Sequence, residues 1–284
     1  MEKSNIDEKI KLLTGSGMWH TQEVEGLPSV HLSDGPHGLR KQEEKERQNN
    51  VSLVSTCYPT ASALACSWDV TAAERLGRAV AKEAWNADVA VLLGPGINMK
   101  RSPLCGRDFE YFSEDPFLAG RLGAAYVSAA QGEDVAVSLK HFAANNQETN
   151  RQTSNSQIDE RALREIYLSA FEYVVKTARP ATIMASYNRL NGYYACENRH
   201  LLTEILREEW GFDGVVISDW GACADLAKAV KAGMDLEMPD SHGIHARKLK
   251  AALKAGEISE EDIAKAAGRI EKLVKKYAPD NRAK

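Results

Sequence analysis

The chain has 284 residues, 43% of them hydrophobic and 27% charged, with a formal net charge of −4. That length admits one large α/β barrel or two small domains, and the interspersed charges point away from a nucleic-acid-binding surface. No apolar stretch reaches the length of a membrane span, and the five cysteines form no CxxC pair, so a reduced, cytoplasmic chain with no signal peptide is expected.

In chain order, the first apolar run is Ser29–Leu32, followed by a charged stretch, Lys41–Thr56, that has no clear period. A second run, Pro59–Ala65, precedes a helix predicted over Thr71–Asn86, whose Thr71 and Glu74 have capping-box spacing. The run Val89–Leu93 leads to a helix over Pro116–Gln131. Ala136–Leu139, a helix over Asp159–Ala178 and the run Thr182–Ser186 follow. After them come a helix over Arg199–Trp210, the runs Val215–Ser218 and Met234–Met238, and a final helix over Ser259–Tyr277. Strand and helix alternating at this interval predict parallel β/α architecture. About seven strands over this length fit a closed (α/β)8 TIM-type barrel of one domain, irregular in its first third.

Polar and aromatic residues gather where the runs end. Leu32 leads into Ser33-Asp34-Gly35-Pro36-His37-Gly38. Lys140-His141 follows Ala136–Leu139, with Arg151 beyond it. Tyr187 ends Thr182–Ser186, and Asp219-Trp220 ends VVIS. In a barrel these positions share the carboxyl-terminal rim, where active sites are built. Each has a plainer reading: Asp34-Gly35-Pro36 suits a turn, Lys140 suits solvent, His141 and Tyr187 suit packing, and Asp219 suits a helix N-cap. Their coincidence on one rim favours a site.

SDGPHGLR at 33–40, LLGPGINMKRSPLCGRDFEYFSEDP at 92–116, SLKHFAANNQETNR at 138–151, SYNRLNG at 186–192 and VVISDWGA at 215–222 together resemble glycoside hydrolase family 3, of the bacterial β-glucosidase type. The resemblance implies a barrel domain over residues 1–277, with 278–284 opening a linker to a C-terminal α/β-sandwich domain. It implies that Asp219 is the nucleophile and that Asp34, Arg107, Lys140, His141, Arg151, Tyr187 and Trp220 bind the glycone. The substrate implied is a terminal β-D-glucoside or short β-linked oligosaccharide, with no cofactor or metal. The family's acid/base glutamate belongs to the second domain, so this chain would hold the nucleophile half alone, as a truncation, one half of a split gene or an engineered barrel. It would be weak or inactive by itself unless that domain acts in trans. The histidine dyad loop of the β-N-acetylglucosaminidase branch is not seen in Ala143-Ala-Asn-Asn-Gln-Glu-Thr.

The chemistry fits that reading. A retaining glycosidase needs one carboxylate to form a glycosyl-enzyme and a second carboxyl to protonate the leaving oxygen. Lys140, Arg107 and Arg151 are expected to keep Asp219 ionised, and Arg107, Lys140 and His141 to donate to sugar hydroxyls. Trp220 or Tyr187 suits the apolar face of a sugar ring. Two other readings stand beside it. One is an isolated or engineered barrel that binds sugar or serves as a scaffold with little turnover. The other is a lyase using Lys140 as a Schiff base, disfavoured because neighbouring carboxylates would keep the amine charged. His31, His37, His242 and His245 offer no ligand set in the sequence and read as structural or solvated.

Overall fold

The apolar runs become the staves of a barrel wall in a computed structural model that describes residues 5–42 and 51–281. The strands are β1 (Gly15–Ser16), β2 (His20–Thr21), β3 (His31–Asp34), β4 (Val89–Leu93), β5 (Ala136–Phe142), β6 (Asn155–Ser156), β7 (Thr182–Ala185), β8 (Arg189–Leu190), β9 (Tyr193–Tyr194) and β10 (Val215–Ser218). Seven of them pair in the order β1-β2-β3-β4-β5-β7-β10. Pairing is parallel from β3 onward and antiparallel on both sides of β2. Residues 236–237 close the ring, bridging Ile217 on one side and Thr14 on the other. The Ser218 N–H donates to Leu236 O and the Gly15 N–H to Glu237 O, both at 2.9 Å.

The TIM-type barrel is therefore present, and its first third is irregular as expected, with no helix between the short strands β1, β2 and β3. Of the aperiodic stretch 41–56, residues 43–50 lie outside the described residues. Every residue of β4 (VAVLL) and β10 (VVIS) is buried. A stave that faces packed side chains inside and helices outside has no wet face, so its sequence does not alternate.

The helix Val70–Asn86 buries Ala73, Leu76, Gly77, Val80, Ala81 and Ala84, the stripe of a 3.6-residue period. A Cβ on Gly77 would lie 2.5 Å from the Tyr126 carbonyl oxygen. Only glycine lets this helix approach Pro116–Gln131 so closely.

Several expectations change. Pro59–Ala65 is no strand: Thr60 caps the short helix Ala61–Ala65, an apolar run too short for its period to be read. The helix at 70 is capped by Asp69, which accepts from the Thr71 N–H, and not by the Thr71–Glu74 box. A capping box occurs instead at Ser259–Asp262, opening Glu260–Tyr277. Asp159–Ala178 breaks into Glu160–Ala162, a π-helical turn Leu163–Tyr167 and Ser169–Ala178. Residues 200–209 are π-helical as well. Met234–Met238 pairs only through isolated bridges. The helices Ile6–Leu12, Leu226–Ala232 and Ile244–Lys254 were not anticipated.

Candidate active site

The carboxyl ends of β3, β5, β7 and β10 deliver Asp34, Lys140 with His141, Tyr187, and Asp219 with Trp220 to one rim. The loop after β4 brings Arg107 across to them. β5 runs three residues past its expected end, so Lys140, His141 and Phe142 belong to the strand and are buried. Gly96 bridges both Lys140 and Tyr111. A Cβ there would meet the Tyr111 ring at 2.8 Å, so a bare backbone is what lets the β4 loop reach β5.

One chain of polar contacts connects the rim. The Lys140 ammonium donates to Asp34 Oδ1 at 2.9 Å and lies 3.6 Å from Glu110 Oε2. Glu110 Oε1 accepts from Arg107 Nε. Arg107 Nη2 donates to His141 Nε2 at 2.7 Å, and its Nη1 lies 4.0 Å from Asp219 Oδ2. His141 Nε2 is 3.7 Å from the same carboxylate oxygen. Trp220 follows Asp219 directly, and the Tyr187 hydroxyl donates to its carbonyl at 2.9 Å. The Arg151 guanidinium lies over the Tyr187 ring, 4.4 Å from its centroid, and pairs with Glu148 at 2.8 Å. All eight sequence-predicted residues thus meet, Arg151 only through Tyr187.

Asp219 is the odd member of this network. It is 7% exposed, its Oδ1 accepts from the Trp220 N–H at 2.8 Å, and its Oδ2 is buried with no hydrogen-bond partner. It does not cap a helix: the next one, Leu226–Ala232, is capped by Asp225. Opposing charge was expected to dominate its titration. Burial dominates instead, lifting its pKa above the ordinary 3.8, while Arg107 and Lys140 offset part of that rise. Arg151 is not among the main causes there; its charge acts on His141 and Tyr187 instead.

The other groups are fixed in their charge states. Burial favours a neutral Lys140, but Asp34 and Glu110 outweigh it and hold the amine protonated, which leaves no free base for a Schiff base. Burial also opposes charge on Asp34, and Lys140 again wins, holding that carboxyl below its usual range. His141 is driven well below 6.5 by burial and then by Arg107, so the ring is neutral. With Arg107 donating to Nε2, its proton sits on Nδ1, which donates to the Tyr111 hydroxyl at 3.0 Å. His141 was expected to donate to a sugar; in this arrangement its outer nitrogen is an acceptor already in use.

Several members were not singled out in the sequence. Glu110, 6% exposed, ties Arg107 to Lys140. Its signal is an acid three residues after an arginine on a rim motif. Asn98 clamps the His141 peptide, donating to His141 O at 2.8 Å and accepting from His141 N at 2.6 Å. Nothing local marks that role. Trp19 packs on Trp220 with centroids 5.2 Å apart, and Trp220 Nε1 donates to Met18 O at 2.8 Å. The aromatic wall beside Asp219 is thus a pair, whereas one face of Tyr187 is taken by Arg151.

Comparison with known proteins places the chain in a family. Residues 36–273 match the family described as glycosyl hydrolase family 3 N terminal domain. The chain is 51% identical over 278 residues to thermostable beta-glucosidase B of Acetivibrio thermocellus, covering 96% of itself and 37% of that protein. It is also 51% identical over 242 residues to the exo-alpha-(1->6)-L-arabinopyranosidase of Bifidobacterium longum, covering 84% of itself and 32% of that protein. Among solved structures, the Bifidobacterium adolescentis GH3 beta-glucosidase superposes with a TM-score of 0.91 at 46% identity, over 97% of this chain and 40% of that one. The chain therefore spans about a third to two fifths of the length of these relatives.

Proposed function

Because this chain belongs to glycosyl hydrolase family 3, through that family's N-terminal domain, we propose that it is the nucleophile-bearing, glycone-binding half of a retaining β-glucosidase. The observation that carries the reading is the partnerless Asp219 Oδ2, buried at the end of β10 and facing Arg107 and His141. The Trp220 N–H holds Oδ1 and so orients the carboxylate, while Oδ2 keeps its lone pair for a carbon atom. Oδ2 attacks the anomeric carbon of a terminal β-D-glucoside. A C–O bond forms as the glycosidic oxygen leaves with the electron pair of the broken bond. Water then cleaves the glycosyl-enzyme in the reverse sense. Asp34, Lys140, Arg107 and Arg151 position the ring hydroxyls by charge-assisted hydrogen bonds, the neutral His141 holds Arg107 in place through its Nε2, and Trp220 covers an apolar face.

The leaving oxygen also needs a proton. Asp34, Glu110 and Glu148 are each held in ion pairs, which supports an acid/base glutamate from outside residues 1–284. Residues 1–277 would form the barrel domain and 278–284 open the linker to an α/β-sandwich domain, joined in cis or in trans. Leu104 and Phe109 flank Arg107 in sequence and are 92% and 53% exposed, an apolar surface that such a domain would cover. The five unpaired cysteines suit a cytoplasmic location, and among the described residues no helix is long and apolar enough to cross a membrane.

Substrates with different leaving groups test this reading on the chain itself. General acid catalysis contributes on the order of 10²–10⁴-fold, most where the leaving group is poor. Aryl β-glucosides with acidic phenols are expected to turn over slowly, with partial rescue by azide, and cellobiose not at all. Brisk cellobiose hydrolysis would place an acid within the chain. No turnover and no covalent adduct with any glucoside would leave a sugar-binding scaffold. The equal identity to an arabinopyranosidase supports a second reading, a pentopyranose in the same pocket. A higher kcat/KM on an aryl α-L-arabinopyranoside than on the matching glucoside would select it.

A further inference from the structure

Past the turn that follows Asp219, the side chains of Cys223, Glu237 and His245 converge, with one ligand atom from each within 4.8 Å of the other two. They come from three separate pieces of the fold. Cys223 lies in the loop after β10, Glu237 in the segment that closes the barrel, and His245 in the first turn of the helix Ile244–Lys254. Cys223 and Glu237 are buried, at 6% and 3% exposure, while His245 is half-buried and opens the cluster to solvent. The His245 Nδ1 contacts Glu237 Oε1, and the Ser241 hydroxyl donates to Oε2 at 3.4 Å. Nothing in the glycosidase reading uses this trio.

We propose that Cys223, Glu237 and His245 form a binding site for a borderline-soft divalent metal ion of the zinc class. A thiolate, an imidazole and a carboxylate make a mixed N/O/S donor set. Zinc takes such sets, whereas magnesium and calcium demand oxygen ligands throughout. Three protein ligands leave a fourth tetrahedral position for water. Ligand atoms about 2.0–2.3 Å from a tetrahedral ion stand about 3.5 Å apart, so His245 Nδ1 and Glu237 Oε1, now in direct contact, must part to admit the ion, while the widest pair closes by at most about 1.3 Å. On binding, a metal–sulfur bond forms as the thiol releases its proton to solvent, and no electron is transferred. The carboxylate and thiolate bring two negative charges against the ion's two positive ones, so the occupied site is neutral.

The site goes beyond sugar chemistry, and its consequence is mechanical. An ion here would pin the loop four residues past Asp219 to the segment that closes the barrel, stabilising the nucleophile's end of the ring. It also departs from the reading of His245 as merely structural or solvated: the sequence separates these residues by as many as 22 positions, and only the fold brings them together.

The test uses the full chain with C57S and C66S, which remove the two exposed thiols. After treatment with a chelator, the protein is titrated with Co²⁺ and then with Zn²⁺ under reducing conditions. One equivalent of Co²⁺ is expected to bind, with a thiolate-to-metal charge-transfer band and tetrahedral visible bands that Zn²⁺ displaces. Zn²⁺ is expected to raise the Tm. C223S should abolish the charge-transfer band, and H245A should weaken binding at least tenfold. H245A, at a half-exposed position, carries the test if C223S fails to fold by circular dichroism. No charge-transfer band in the parent chain, or Zn²⁺ affinity unchanged in H245A, would overturn the proposal.

Discussion

Two buried aspartates lie at opposite ends of β10. Asp235, fully buried, serves the amino end: its Oδ2 accepts from the Val216 N–H at 2.8 Å and from Arg207 at 2.7 Å, and its Oδ1 from Arg269 at 2.8 Å. Asp219, at the carboxyl end, has one oxygen held and one left without a partner. The same carboxylate is a structural cross-link in one place and a poised reactant in the other. Local chemistry does not separate them; the count of donors does. A buried charge with donors on both oxygens holds three elements together, and one with an oxygen left free costs stability and keeps reactivity.

The comparison breaks most sharply at Asp219. D219N should suppress glycosyl-enzyme formation from an activated 2-fluoro-glucoside on the order of 10⁴-fold, the scale of removing a nucleophile. Its denaturation midpoint should not fall, because the variant relieves a desolvated charge. Intact-mass kinetics and urea unfolding read the two effects separately, and adduct formation at the parental rate would end the assignment.

Asp235 should behave in the opposite way. D235A leaves Arg207, Arg269 and the Val216 N–H without their shared acceptor. Removing one partner of such a buried pair costs about 3–5 kcal/mol. Chemical denaturation should show that loss; a change below about 1 kcal/mol would show that the network is not a structural anchor.

Glu110 lies between these extremes, and E110Q tests whether positioning charges matter at the rim. Weakening its bonds to Arg107 and Lys140 should cost about 1.5–3 kcal/mol in glucose affinity by calorimetry, the scale of a charged hydrogen bond. Unchanged affinity would show that the two cations hold their places without it.

The gentlest probe is pH. Asp219 must be ionised to attack, and its raised pKa means that adduct formation fails as pH falls through a value above 3.8. R107Q removes the main opposing charge, so the acidic limb should move to still higher pH. A limb that stays in place would mean that another group sets it.

Much of the barrel was legible in the chain because its parallel staves are buried on both faces. The runs at 89–93 and 215–218 coincide with β4 and β10 residue for residue, since their valines and isoleucine favour a strand buried on both faces. Ala61–Ala65 shows the limit: a five-residue apolar stretch carries no period, and its helical state came from the Thr60 cap and its packing. The rim residues were legible as a set because strand ends are where a barrel puts polar groups. Their pairings were not.

The sequence by itself determined the kind of fold, the strands that carry the rim and the residues that reach it, because these depend on local pattern and on motifs of neighbouring residues. Tertiary structure alone decided the rest. It gave Glu110 to Arg107 and Lys140, turned the outer nitrogen of His141 toward Arg107, and brought Cys223 and His245 together across the closing segment. It also left one oxygen of Asp219 without a hydrogen bond while giving donors to both oxygens of Asp235. The physical reason is that hydrogen-bond partners and desolvation are set by groups far away along the chain, and burial changes the energy of a charge more than any neighbour in sequence can.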